Sequence, residues 1–108
     1  MAIFEVDEDN FNEVLEEEFN KKQIVIMKFG SELCDACQAL EFELDEINEK
    51  HENVSILTID CNEASELAEQ YDIQRVPTMM IYKDKDKLIY NNEGILLAVD
   101  IEKVIGLK

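Results

Sequence analysis

The chain has 108 residues, a hydrophobic fraction of 46% and a formal net charge of -16. That size suits one domain with a packed core, and the apolar content argues against disorder. The charge argues against nucleic acid and anionic membrane as partners, since both require a basic surface. It keeps the chain soluble and favours protein partners with a neutral or basic face. No apolar run approaches the roughly 20 residues of a bilayer span, and the first residues lack the basic patch and long apolar segment of a secretory signal. The expectation is a soluble, cytoplasmic, monomeric protein whose single domain covers residues 1–108.

Ile3 to Val6 reads as a short first strand. Asp7 or Asp9 is placed to cap the helix that follows, whose periodic face is Phe11, Val14, Leu15, Glu18 and Phe19, with Glu18 its only polar member. Lys21 and Lys22 close that helix where cations suit the dipole. Ile24 to Phe29 is nearly all apolar, as expected of a central strand covered on both faces. A second helix runs from about Cys34 to His51, with Cys37, Leu40, Leu44, Ile47 and His51 along one side. A third strand, Ser55 to Asp60, and a short helix, Ser65 to Tyr71, come next. Pro77 introduces a fourth strand, Thr78 to Lys83, and the polar run Lys83 to Lys87 connects it to a fifth, Leu88 to Asn91. Asn92-Glu93-Gly94 turns the chain into a last helix with Ile101, Val104 and Ile105 inward. Gly94 has two open readings: a turn residue, or a place where a side chain would crowd its surroundings. The order βαβαβαββα makes an α/β domain. Its helices flank a mixed sheet of parallel strands and a C-terminal antiparallel hairpin.

Chemistry concentrates at the junction of the second strand and second helix. Cys34 and Cys37 stand three positions apart there, one helical turn, which suits a short disulfide ring. In a reducing compartment a cysteine pair at this spacing is catalytic or metal-binding rather than a structural staple. The helix N-terminus favours negative charge, so the first sulfur ionises more readily than a free thiol. Cys34 is therefore read as the nucleophile and Cys37 as the resolving thiol. A zinc site would need Cys61 and a fourth ligand, but His51 lies at the far end of a helix about 25 Å long. No metal and no organic cofactor is expected beyond the Cys34–Cys37 couple itself. Cys61 is read as a small buried hydrophobe, with a regulatory thiol or a dimer bridge as the alternative.

The whole chain resembles the thioredoxin family. The resemblance is carried by the order of the elements, by Cys34-Asp35-Ala36-Cys37 after the second strand, and by Val76-Pro77-Thr78 at the start of the fourth. It implies a thioredoxin fold and a Val76–Pro77 bond that is cis and lies against the two sulfurs. Sterics alone would equally permit a trans proline there. It also implies dithiol–disulfide exchange with protein disulfides, probing them with Leu33, Val76 and Pro77, and a dithiol reductase as electron donor. Several positions depart from the family pattern. Leu33 stands where tryptophan is common, leaving open a changed substrate rim or a simple apolar shield. Asp35 puts a carboxylate near the thiolate, which raises the pKa of Cys34, yet it also suits the first helical turn. Lys28 stands where thioredoxins usually place a buried acid that handles the resolving thiol's proton. Lys28 is read in two ways: it lies under the sulfurs and tunes them, or it reaches solvent or a glutamate. Arg75, beside Val76 and Pro77, is open to a substrate carboxylate, to glutathione or to a surface role.

Three functions follow in order of support. The first is a thiol–disulfide oxidoreductase reducing protein disulfides, with a glutaredoxin-like handling of glutathione mixed disulfides as a chemical variant. The second is a thioredoxin-fold scaffold with an idle dithiol. The third is a redox-sensing or metal-carrying module.

Overall fold

The computed structural model describes residues 3–106; the first two and last two positions of the 1–108 span lie outside the described residues. The elements are β1 (Ile3–Val6), α1 (Phe11–Asn20), β2 (Ile24–Gly30), α2 (Asp35–Lys50), β3 (Val54–Asp60), α3 (Ser65–Gln70), β4 (Thr78–Asp84), β5 (Lys87–Glu93) and α4 (Ala98–Ile105). One five-stranded sheet has the order β1-β3-β2-β4-β5. β1 and β2 both run parallel to β3, while β4 runs antiparallel to β2 and to β5. The expected architecture is what forms.

Period-two alternation along β2 sorts the sheet into two faces. Val25, Met27 and Phe29 join Phe11, Leu57, Ile59 and Leu67 in the core under α1 and α3. Ile26 joins Leu40, Leu44, Ile47, Ile56, Met79 and Ile101 in the core under α2 and α4. Lys28 belongs by alternation to this second face, directly beneath α2. The register Phe29↔Thr78 brings the start of β4 to the end of the sheet where β2 gives way to α2. That end carries the site.

Several boundaries differ from the sequence reading, each for a local reason. Asn10, rather than Asp7 or Asp9, occupies the N-cap position of α1. Asp7 instead accepts the backbone N–H groups of Asp9 and Asn10, fixing the turn that delivers the chain to the helix. Cys34 does not begin α2 but caps it, with extended backbone. Asp84 belongs to β4 rather than to the connection, because it pairs with Lys87 across a tighter turn. Asn92 and Glu93 likewise pair with Met79 and Thr78, lengthening β5 to Glu93. β5 lies at a sheet edge, where one face and one flank meet water, so polar residues there do not end the strand. Only Gly94 makes the turn, at φ 96°, and a Cβ there would meet nothing within 4 Å. The turn reading of Gly94 holds and the crowding reading falls.

Candidate active site

The site is built from the α2 N-terminus upward. A helix leaves its first backbone N–H groups without intrahelical partners, and a side-chain acceptor at the cap satisfies one of them. Here the acceptor is sulfur: the Cys37 N–H donates to Cys34 Sγ at 3.1 Å. Cys34 is half-buried with an extended backbone (φ -141°, ψ 102°), which turns its sulfur across the end of the helix. Cys37, one turn on, is 2% exposed. The two are joined as a disulfide with Cα atoms 5.2 Å apart, inside the ordinary range for such bonds. One sulfur sits at the surface and the other behind it.

Around this pair, Leu33 is fully exposed and Asp35 lies in the first helical turn with its side chain in water. The Val76–Pro77 bond is cis, Val76 is half-buried and Pro77 buried. Thr78 Oγ1 donates to the Arg75 carbonyl at 2.6 Å, and the Gly94 N–H donates to the Pro77 carbonyl at 2.8 Å, so the segment is tied down on both sides. Arg75 itself is exposed.

Lys28 does not run freely to solvent but pairs with a glutamate. It is 4% exposed, and its Nζ meets Glu41 Oε1 at 2.7 Å. Of the sequence readings of this residue, the pairing with a glutamate is what forms. Gly30 is a member of the site that sequence reading passed over. A Cβ placed on it would meet Lys28 Cε at 3.1 Å and Cys37 Sγ at 3.3 Å. A glycine at the end of an apolar strand was the available signal, because such a residue can mark close approach. Glu41 was also missed, although it stands four residues beyond Cys37 on one helical face. The carboxylates of Glu32, Asp60 and Glu63 converge within 4.8 Å of one another beside the same space, giving this flank a strongly negative field.

The Cys61 and His51 side chains have other surroundings. Cys61 is half-buried against the core under α1 and α3, and burial together with neighbouring Asp60 pushes its thiol pKa up. An unreactive thiol is what that environment makes. His51 follows the last residue of α2, where its Nε2 lies 2.7 Å from Glu102 Oε2, so it ties α2 to α4.

The family model described as Thioredoxin matches residues 2–105. The chain belongs to the thioredoxin family. A thioredoxin of Acetoanaerobium sticklandii is 30% identical over 105 residues, covering 95% of this chain and 96% of that protein. The probable thioredoxin-2 of Caenorhabditis elegans is 34% identical over 88 residues, covering 81% of this chain and 59% of its own length. The chain spans about two thirds or less of the plant and nematode thioredoxins it matches. Among solved structures, chloroplastic thioredoxin z superposes with a TM-score of 0.84 at 25% identity, covering 98% of this chain and 93% of that one. Spinach chloroplast thioredoxin f gives a TM-score of 0.82 at 23% identity over 97% of this chain and 92% of that one, which bears on the fold alone. No described helix is long and apolar enough to cross a membrane.

Proposed function

We propose that this thioredoxin-family chain is a thiol–disulfide oxidoreductase that reduces protein disulfides through Cys34 and Cys37. The observation that carries this reading is the asymmetry of the pair: Cys34 Sγ caps α2 at the surface, 3.1 Å from the Cys37 N–H, while Cys37 is 2% exposed behind it. In the reduced protein the same N–H and the helix N-terminus favour a thiolate on Cys34. That thiolate attacks one sulfur of a substrate disulfide. A Cys34–substrate bond forms, the substrate S–S bond breaks, and the leaving sulfur takes up a proton. Cys37 then attacks Cys34, closing the intramolecular disulfide and releasing the second substrate thiol. Two electrons pass from the chain to the substrate, and a dithiol reductase returns them.

Leu33, Val76 and Pro77 are assigned to substrate contact. Leu33 offers a fully exposed apolar side chain beside Cys34, and the cis Val76–Pro77 bond holds backbone at the same end of the sheet. Asp35, exposed in the first turn, tempers the thiolate by like charge. The chemistry calls for no metal and no organic cofactor. We assign the chain to the cytoplasm as a monomer. With a net charge of -16, its partners present neutral or basic faces.

Insulin reduction with dithiothreitol, run beside Cys34→Ser, tests the reading. The unsubstituted chain should accelerate precipitation of the insulin B chain, and Cys34→Ser should fall to the uncatalysed rate. Equal rates for the two would transfer support to a scaffold with an idle dithiol.

A further inference from the structure

Behind the resolving thiol lies a charge pair that the exchange steps above leave unused. Lys28 Nζ and Glu41 Oε1 are 2.7 Å apart, with the lysine side chain 6% exposed and the glutamate 54%. Lys28 Cε and Cys37 Sγ flank the bare Cα face of Gly30, at 3.1 and 3.3 Å from the position a Cβ would take. The two side chains are therefore separated by no more than the sum of those distances. Cys37 and Glu41 occupy i and i+4 on α2, one turn apart on one face. A cavity of about 350 Å³, lined by Lys28, Glu41, Gly30, Ser31 and Thr58, runs beside this group and meets solvent.

We propose that Lys28 and Glu41 are positioning residues that ionise Cys37 for the resolving step. This rests on the exchange reading above and specifies how its second half proceeds. In the mixed disulfide, the Cys37 thiol gives its proton to the Glu41 carboxylate, which passes it to water through the open side of the cavity. The Lys28 ammonium holds the resulting thiolate. That thiolate attacks Cys34 Sγ, the Cys34–Cys37 bond forms, the bond from Cys34 to substrate breaks, and the electron pair leaves on the substrate sulfur with a proton from solvent. The other charged groups facing this space are all acidic: Glu5 on β1, Glu32 before α2, Asp60 at the end of β3 and Glu63 beyond it. They oppose a thiolate, and among the described residues Lys28 is the one cation set against them in the cavity lining. A nearby opposite charge favours the ionised form of a thiol.

The test uses the full chain carrying Cys34→Ser and Cys61→Ser, in which Cys37 is the sole thiol, and follows its ultraviolet thiolate absorbance against pH. Adding Lys28→Met should lower the thiolate fraction on the rising part of the curve by about threefold or more, equivalent to half a pH unit or more. Lys28→Arg should restore most of it, because charge and not packing carries the effect. In the chain with all three cysteines, Glu41→Gln should slow release of a preformed mixed disulfide by about threefold or more, leaving the first attack by Cys34 unchanged. Coincident titration curves for Lys28→Met and its parent would overturn the proposal, as would equal curves for Lys28→Met and Lys28→Arg. Should Lys28→Met fail to fold, the Glu41→Gln release rate decides alone, since that side chain is half in water. The Cys37 titration does not depend on insulin reduction, so failure here is distinguishable from failure of the oxidoreductase reading.

Discussion

Glu18 is an acid on the inward face of α1, 2% exposed, and the fold accommodates it through Ser55. Ser55 Oγ donates to Glu18 Oε1 at 2.6 Å, and Lys21 Nζ donates to Glu18 Oε2 at 2.9 Å. Burial works to raise the Glu18 pKa, but the Ser55 hydroxyl and then Lys21 outweigh it and hold the carboxyl below its ordinary value of 4.5. Ser55→Ala removes the buried half of that support. A hydrogen bond to a charged group contributes about 1.5–3 kcal/mol, and the alanine methyl offers nothing in return. At a loss of about 2 kcal/mol, and roughly 4 °C per kcal/mol for a domain near this size, the Tm at pH 7 should fall by about 8 °C. A folded pKa below the unfolded one means stability that is fully present above the unfolded value and lost as pH falls through the folded value. The gap between the two proteins should therefore be widest at neutral pH and close as the pH drops below 4.5. Urea melts from pH 7 to pH 3 measure it. A gap that stays constant over that range, or one below about 0.5 kcal/mol at pH 7, would refute the account.

Two further outcomes follow from the site. Gly30→Ala should lower the Tm by roughly 4 °C or more, because the new methyl meets Cys37 Sγ, which is fixed at the first turn of α2, and overpacking costs about 1 kcal/mol or more; a Tm equal to or above that of the parent would show that the strand and helix are not so close. Cys61 in the oxidised protein should be alkylated by iodoacetamide more slowly at pH 7.5 than a free thiol such as glutathione, since burial and Asp60 both disfavour its thiolate, and a rate equal to that of glutathione would contradict this.

Much of the site was legible because its chemistry is local. Cys34 and Cys37 are held three positions apart by covalent continuity, so strand, cap and helix periodicity alone place both sulfurs at one helix end. Lys28 was legible only as an anomaly. Alternation along β2 puts it on the α2 face, but its partner Glu41 is 13 residues away, and which side chains face each other across two elements is set by packing. The same limit hid the contact of Glu18 with Ser55, 37 residues apart, although the lone acid on an apolar helix face was visible from the start.

Sequence periodicity and the cysteine spacing determined by themselves the order of elements, the two-faced central strand and the identity of the redox pair, because each depends on neighbours within a turn or a strand. The cis Val76–Pro77 bond is what the family resemblance implied, while the tertiary structure alone decided what lies behind Cys37, how Gly94 is used and where β5 ends. Each of those depends on a sheet register and a helix docking that bring distant residues within a few ångströms, and no local pattern encodes such distances.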